Sequence, residues 1–182
     1  IEYSNADKKS ICTSRTFGNM VNNLKDLSSS IAMYTTRCAE KLRAQNSYAH
    51  FAHVFITTNP FRNKTAQYSK NKLIKFQVAT NDTSEMITFI LKDLKEIYKP
   101  GYYYKKAGVV LSGIVKQGEV QENLFDNENR DKNETIIHTV DKINRKMGQD
   151  IVRYAALGYR KKWQLKQQRL SPCYTTRWSD LL

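Results

Sequence analysis

Residues 73–97 read LIKFQVATNDTSEMITFILKDLKEI, and this stretch contains both of the periodicities that decide the fold. Its first part alternates apolar and polar side chains, which is typical of a β-strand with one buried and one solvated face. Its second part spaces apolar side chains three and four residues apart, as on one face of an amphipathic helix. Asp82 and Glu85 have the spacing of a capping box, which marks a helix start. We predict a strand over 73–80 and a helix after Asp82.

The same two patterns recur on both sides of this stretch. Residues 10–17, 48–58 and 105–115 are rich in β-branched and aromatic types and predict strands, the first ending at Gly18-Asn19. Residues 21–44 have a helical spacing of apolar side chains. The order strand, helix, strand, strand, helix, strand predicts an α+β domain. We expect a four-stranded antiparallel sheet with two helices on one face, in a split βαβ arrangement.

The character of the sequence changes after residue 116. We interpret 1–116 as the folded domain, 117–134 as a polar linker and 135–182 as a partly helical C-terminal extension. The chain begins with isoleucine and not methionine, so we expect it to be part of a longer protein. One face of the predicted tail helix, which ends at Gly148, is formed by Ile136, Val140, Ile143 and Met147.

The chain is strongly basic, with a formal net charge of +13 over 182 residues. An excess of this size in a small protein indicates a polyanionic partner, and nucleic acid is the favoured class. The face of the sheet away from the helices is predicted to be open and basic. Small hydroxyls beside cations are typical phosphate contacts, although cations also protect edge strands from aggregation. The candidate phosphate contacts are Lys9, Ser10, Arg15, Thr16, Lys75, Lys105 and Lys106.

Two further segments have the composition of binding elements. Residues 121–125 place a Leu-Phe pair in a polar stretch, as in peptides that dock into an apolar pocket of a partner protein. The second is a basic cluster in the tail, which either contacts nucleic acid with its tryptophan as a stacking surface or anchors the tail on the domain. The candidates there are Arg160, Lys161, Lys162, Trp163 and Arg177.

Several kinds of chemistry lack a sequence signal. The three cysteines are far apart and have no Cys-x-x-Cys spacing, which argues against a zinc site or a disulfide framework and fits a reducing cytoplasm. No Gly-rich phosphate loop, nucleophile elbow or histidine cluster occurs. No apolar run is long enough to span a bilayer, so we expect no membrane partner. The sequence predicts no catalytic residues, metal or cofactor of its own.

A set of local motifs resembles one protein family over nearly the whole chain. The sequence is similar to the C-terminal part of UmuC-type, Y-family translesion DNA polymerases, which comprises the little-finger domain and a family-specific tail. The motifs that carry this resemblance are Lys9-Ser10-Ile11, Arg15-Thr16-Phe17-Gly18, Ala39-Glu40-Lys41-Leu42-Arg43, Phe55-Ile56-Thr57-Thr58-Asn59-Pro60-Phe61, Val78-Ala79-Thr80-Asn81-Asp82-Thr83, Lys106-Ala107-Gly108-Val109-Val110-Leu111 and Leu170-Ser171-Pro172-Cys173-Tyr174-Thr175-Thr176-Arg177-Trp178.

The resemblance implies a function for each segment. It implies a parent enzyme that copies damaged DNA with errors in the SOS response and uses Mg²⁺ in a palm that this chain does not include. The little finger would hold duplex template–primer DNA, and the tail would contact UmuD′ and RecA. Glu122 departs from the apolar residue that the family often has there. The resemblance implies sliding-clamp contacts at Gln121, Asn123, Leu124 and Phe125.

Two alternatives remain open at this point. The first is an RNA-binding split βαβ module, since Phe51 and Phe55 are predicted on one strand face and such modules stack bases on aromatic rings. The second is a non-catalytic scaffold whose positive charge serves acidic protein partners.

Overall fold

The computed structural model describes residues 7–62, 65–121, 123, 130–159, 163–165 and 171–180. Among these residues no helix has the length and apolar character needed to cross a membrane. Short 3-10 turns lie at Gln117–Glu119, Ala155–Leu157 and Trp178–Asp180. The longer elements are β1 (Ile11–Val21), α1 (Leu24–Ala44), β2 (Ser47–Thr58), β3 (Ser69–Thr80), α2 (Thr83–Ile97), β4 (Tyr104–Lys116) and α3 (Arg130–Met147).

The four strands form one antiparallel sheet in the order β1-β4-β2-β3, and α1 and α2 pack on one face of it. The predicted fold class is therefore confirmed. The core lies between the sheet and the two helices, where apolar side chains are removed from water. Its largest fully buried members include Tyr34, Tyr104, Phe17, Phe76, Leu27, Ile31, Ile56 and Leu111.

The junction between β3 and α2 follows the prediction in outline and departs from it in one detail. The Asp82 carboxylate accepts hydrogen bonds from the backbone N–H groups of Ser84 (2.7 Å) and Glu85 (3.3 Å), so it caps α2. The Glu85 side chain does not close the capping box on the Asp82 N–H. That N–H donates instead to the Thr80 hydroxyl at 3.1 Å, and the same hydroxyl donates to Glu85. The Thr80 hydroxyl therefore accepts the hydrogen bond from the Asp82 N–H that the glutamate of a capping box would accept.

The prediction that Gly18-Asn19 ends the first strand is wrong. Strand β1 runs on to Val21, which lies opposite Tyr104 after an irregularity in the pairing. The Gly18 N–H donates to the carbonyl of Trp163 at 3.1 Å, and a Cβ on Gly18 would lie 2.6 Å from the carbonyl oxygen of Gln164. Glycine is therefore required at this point because the tail approaches the edge strand closely.

The predicted apolar face of the tail helix is only partly covered, with Val140 and Ile143 half-buried. Helix α3 begins at Arg130, inside the predicted linker, and it buries Ile137, whereas Ile136 and Met147 are 51% and 69% exposed. Polar contacts select the buried face, because Asp141 accepts hydrogen bonds from the buried Arg43 guanidinium at 2.7 and 2.8 Å. These contacts hold Asp141, together with the neighbouring Ile137 and Val140, towards the protein. The predicted end is confirmed, since Gly148 has φ +119° after the last turn.

The tail returns across the helical layer and contacts the edge of the sheet at Trp163. Leu157 is buried with Ala32 and Ile87, and the Ser29 hydroxyl donates to the Leu157 carbonyl at 2.5 Å. Trp163 is 3% exposed and packs edge-on against Phe17 and Tyr34, with ring centroids 6.1 and 5.8 Å away. Of the two interpretations of Trp163, the structure supports the tail anchor.

Replacement of Gly18 by alanine is expected to loosen this tail contact. The new Cβ would overlap the backbone of Gln164, which is not a flexible side-chain end that can move aside. We expect Gly18→Ala to lower the free energy of unfolding by about 1–3 kcal/mol, the usual effect of overpacking. Urea unfolding followed by tryptophan fluorescence measures this change.

Gly118→Ala is the matched control, because a Cβ on Gly118 meets nothing within 4 Å. We expect it to change the free energy of unfolding by less than about 0.5 kcal/mol. Equal stability of the two variants would contradict the tail contact at Gly18.

Candidate nucleic-acid interface

The face of the sheet that points away from α1 and α2 is here called the open face. The pairing places Thr16, Lys106, Thr57 and Ser69 in one row across the four strands, and further rows run parallel to it. Alternation within each strand puts the buried core residues on the other side. The open face consists of Cys12, Ser14, Thr16, Phe51, His53, Phe55, Thr57, Ser69, Asn71, Leu73, Lys75, Gln77, Lys106, Val110 and Ser112.

The sheet is free of negative side chains. None of the four strands contains an aspartate or a glutamate, whereas together they carry the cations Arg15, Lys70, Lys72, Lys75, Lys105, Lys106 and Lys116. The carboxylates of the described residues all belong to helices and connecting segments. No strand carboxylate therefore offsets the positive charge at the open face, and a neighbouring phosphate meets no repelling group on it.

Three of the predicted phosphate contacts share this face. Thr16 lies directly opposite Lys106 on the neighbouring strand, and both side chains are exposed. Lys75 lies on β3 opposite Phe51 and is exposed as well. The two lysines therefore sit on different strands, separated across the sheet by β2. Cations spaced in this way would contact separate phosphates along a polymer backbone.

The other predicted contacts lie elsewhere. Arg15 alternates with Thr16 and borders a cavity on the helix side together with Tyr34 and Trp163. Lys105 lies at the pairing irregularity of β4, and its Nζ donates to the carbonyl of Phe17 at 2.7 Å. Lys9 and Ser10 are exposed and immediately precede β1. The structure thus divides the predicted set between the open face, the helix side and the chain before β1.

Sequence reasoning missed the hydroxyl groups of the open face. Besides Thr16, the face presents Ser14, Thr57, Ser69 and Ser112, one from each of the four strands. Hydroxyls donate readily to phosphate oxygens and fit close to a backbone. Their common orientation follows from the period of two within each strand, but their juxtaposition depends on the strand order and register.

Two phenylalanines lie flat on the open face because glycines make room for them. A Cβ on Gly108 would lie 2.5 Å from the Phe55 ring, and one on Gly113, where φ is +62°, would lie 2.7 Å from Phe51. The Nζ of Lys106 is 5.9 Å from the centre of the Phe55 ring, within range of a cation–π contact. The glycines let the two rings lie close to the backbone of the neighbouring strand. The cation–π contact keeps the Lys106 ammonium near Phe55 on the central strand β2.

Lys72 is a strand cation that is paired within the protein and does not face an external binding partner. It lies on the helix side of β3, where its Nζ is 3.4 Å from Asp93 and also bonds to Glu96 on α2. The hydrogen bond that Lys72 donates to the Glu96 carboxylate raises the pKa of Lys72, and the same bond lowers the pKa of Glu96. This lysine is therefore engaged within the protein.

The remaining predicted site residues lie in the segments after the sheet. Gln121 and Asn123 are exposed, whereas Leu124 and Phe125 lie outside the described residues. Arg177 is exposed near the end of the chain. Arg160, Lys161 and Lys162 also lie outside the described residues.

No metal centre is evident in the part of the chain that the structure describes, where no group of three or more His, Cys, Asp or Glu side chains could hold an ion. Cys12, Cys38 and Cys173 are free thiols. Burial raises the pKa of the Cys38 thiol to about 11, so this cysteine belongs to the core.

Comparison with known proteins gives two adjoining matches. Residues 8–124 match the impB/mucB/samB family C-terminal domain, and residues 134–182 match a domain of unknown function (DUF4113). Protein UmuC of Salmonella typhimurium is 35% identical over 182 residues, which are 100% of this chain and 43% of that protein. The solved structure of DinB from Sulfolobus solfataricus has a TM-score of 0.44 and 15% identity, over 59% of this chain and 29% of that chain.

A further relative is DNA polymerase IV of Clostridium acetobutylicum, 31% identical over 120 residues, which are 65% of this chain and 28% of that protein. The chain thus spans less than half the length of the curated relatives named here. The resemblance to UmuC predicted from the sequence motifs is confirmed along the entire chain. The chain belongs to the impB/mucB/samB family, and its residues 8–124 are the C-terminal domain of that family.

Proposed function

We propose that this chain is the DNA-gripping and clamp-tethering C-terminal region of an error-prone translesion DNA polymerase of the SOS response. The observation that carries the proposal is the absence of aspartate and glutamate from all four strands of a sheet with one exposed face. The family membership supplies the context, because relatives of this chain include a protein named DNA polymerase IV.

The open face suits a grip that does not read sequence. Lys75 and Lys106 supply charge, and the hydroxyls between them supply short-range donors for phosphate oxygens. Arginine forks and amide side chains are the usual readers of base edges, and here they are represented only by Asn71 and Gln77 on β3. A polymerase that passes damaged bases benefits from contacts that are the same at any sequence.

The pentapeptide at 121–125 supports tethering to a sliding clamp by its sequence and its place after β4. Gln121 and Asn123 are exposed on the chain that leaves the sheet. A tether at this point would raise the effective concentration of the DNA-gripping face at the primer end. The proposal extends to contacts of the tail with UmuD′ and RecA in the cytoplasm. It assigns the Mg²⁺ chemistry to the palm of the parent enzyme.

The first test concerns the two lysines of the open face. Lys75→Gln with Lys106→Gln is expected to weaken binding to duplex DNA. It should also reduce the slope of log affinity against log salt by about 2, because each phosphate contact contributes about 0.9. Fluorescence anisotropy of a labelled duplex over a series of salt concentrations measures both quantities. A single-stranded RNA of the same length should compete poorly.

Lys92→Gln with Lys95→Gln is the matched control, since both lysines are exposed on α2 and the change in net charge is the same. Its salt slope should equal that of the unmodified chain. Equal losses in the two double variants would show that the total charge, and not the open face, drives binding. Preferred binding of the RNA would favour the alternative of an RNA-binding module.

The second test concerns the tether. Leu124→Ala with Phe125→Ala is expected to abolish capture of the chain on immobilised sliding clamp, because the two apolar side chains would fill the clamp pocket. The affinity for duplex DNA should stay within a factor of about two, because neither residue belongs to the strands that form the open face.

Two adjacent apolar residues of the tail provide the control for this test. Ile151 and Val152 are 59% and 39% exposed, and Ile151→Ala with Val152→Ala also truncates two adjacent apolar side chains. Capture of this control variant should be unchanged. Undiminished capture of the Leu124 and Phe125 variant would refute the tether while leaving the DNA grip untouched.

A further inference from the structure

A cleft of about 240 Å³ lies at the end of the sheet where β1 and β2 finish and β3 and β4 begin. It is here called the tyrosine cleft. Three segments meet around it, namely the end of β1, the loop after β2 and the turn between α2 and β4. The residues that border it are Met20, Asn59, Arg62, Thr65, Ala66, Gly101, Tyr102 and Tyr103.

One tyrosine of this cleft has a side chain that the fold does not use. The hydroxyls of Tyr68, Tyr98 and Tyr104 donate to backbone carbonyls at 2.7, 2.9 and 2.8 Å. The Tyr102 ring packs on Tyr68, with the ring centroids 4.9 Å apart. Tyr103, in contrast, is 54% exposed, and its side chain has no hydrogen bond or ring contact with any other residue that the structure describes. Its ring therefore offers an open aromatic surface.

The cleft is preformed on both sides of this ring. On the loop side, the Gln67 side-chain amide donates to the carbonyls of Asn59 at 2.9 Å and Arg62 at 3.0 Å, which holds the loop in place. On the turn side, Gly101 has φ +87°, which favours glycine, and a Cβ there would meet nothing within 4 Å. A planar group can therefore approach the backbone of the turn without displacing a side chain.

The charge around the cleft is positive. Of the described residues that border it, Arg62 is exposed and is the one charged residue, and none is a carboxylate. The Nζ of Lys99 lies 5.5 Å from the centre of the neighbouring Tyr102 ring, which adds a second cation nearby. A ligand that joins a planar ring to a negative charge fits these surroundings, whereas a cationic ligand meets no counter-charge at the border.

A nucleotide has this combination of a flat ring and a negative charge. Bases stack on aromatic side chains whatever their sequence, and arginine pairs with the phosphate. The volume of about 240 Å³ lies below the roughly 300–1,000 Å³ of pockets that enclose a whole small molecule, so the cleft takes one base and leaves the phosphate outside. Inside a duplex both faces of a base are covered by its neighbours. The base that enters must therefore be unpaired.

The open face leads directly to the tyrosine cleft. The row formed by Thr16, Lys106, Thr57 and Ser69 lies at this same end of the sheet, where β1 and β2 finish. Beyond that row, Tyr104 pairs with the last residues of both strands, and Tyr103 precedes it in the chain. A strand whose phosphates follow the lysines and hydroxyls of the open face thus reaches the tyrosine cleft next.

We propose that the tyrosine cleft binds one unpaired base of a DNA strand that leaves the duplex held by the open face. Tyr103 is the stacking surface, and Arg62 contacts the adjoining phosphate. This inference rests on the proposed DNA grip and adds a site for single-stranded DNA to it. The chain would thereby prefer a junction between duplex and single strand over continuous duplex, still without reading the sequence.

Duplexes that differ only in their overhang test the proposal on the full chain. One labelled duplex is blunt, a second carries a short thymidine overhang, and a third carries an overhang of equal length made of abasic residues. The last two have the same number of phosphates, so a difference between their Kd values measures the bases alone. Each overhang is placed at either end of one strand in separate duplexes, and binding is followed by fluorescence anisotropy at one salt concentration.

We expect the thymidine overhang to bind with a Kd about fivefold or more below that of the abasic overhang for at least one of the two placements, which is the scale of one stacked base. Tyr103→Leu should abolish this difference and leave the Kd of the blunt duplex unchanged. Tyr103→Phe should preserve it, because the ring remains. Arg62→Gln should weaken binding of both overhangs by the same factor, because it acts on the phosphate.

Tyr174→Leu is the matched control, since Tyr174 is 52% exposed and does not border the cleft. It should leave the difference between the overhangs unchanged. A loss in this variant as large as that in Tyr103→Leu overturns the proposal. So does a loss in Tyr103→Phe, or an equal Kd for thymidine and abasic overhangs in all duplexes of the unmodified chain.

The blunt duplex separates this proposal from the DNA grip. If the blunt duplex binds and the bases of the overhang add nothing, the cleft assignment fails and the grip stands. If the blunt duplex does not bind, while a preference for thymidine that depends on Tyr103 persists, the grip fails and the base site stands.

Discussion

The rest of this structure depends on covering only one face of the sheet. Helices α1 and α2 bury the inward side chains of all four strands, and the tail then packs on the helical layer and the edge of β1. Because apolar burial is satisfied on one side, the strands are free to carry lysines and hydroxyls on the other. If the tail had packed on the open face, it would have covered the surface without carboxylates that is proposed to bind DNA. The placement of the tail is therefore as important for the proposed function as the sheet itself.

A buried guanidinium fixes that placement at one end. Arg43, on the last turn of α1, donates to the Asp141 carboxylate of α3 and also to the Asn81 carbonyl and the Thr83 hydroxyl at the start of α2. Removing one partner of a buried ion pair leaves an uncompensated charge, which generally costs about 3–5 kcal/mol. Arg43 therefore links α1, α2 and the tail. At the other end the link is apolar, through Trp163 on Phe17 and Tyr34.

Local patterns predicted the elements of the domain because each strand and helix carries its own period. The alternation around Phe76 and the cap at Asp82 are properties of a few neighbouring residues, and both are found in the structure. The face of α3 was not predictable in this way. Ile136 fits an apolar stripe, yet the helix turns toward Arg43, a residue far away in the sequence. The role of Gly18 was not predictable for the same reason, because the backbone that approaches it belongs to Gln164, which is far away in the sequence.

In the candidate site, too, neighbouring residues predict some features, whereas others depend on contacts between distant parts of the chain. Composition indicated a polyanionic partner, and the period of two placed Lys75 on the exposed side of β3. Sequence proximity then suggested that Arg15 and Thr16 act together, but adjacent residues of a strand point to opposite faces. Thr16 lies opposite Lys106 on the open face, while Arg15 alternates to the helix side, and both border the cavity at the sheet edge. One edge strand thus contributes to two surfaces of different chemistry. The cavity has no sequence signature because its walls come from β1, α1 and the tail, which meet only in the folded chain.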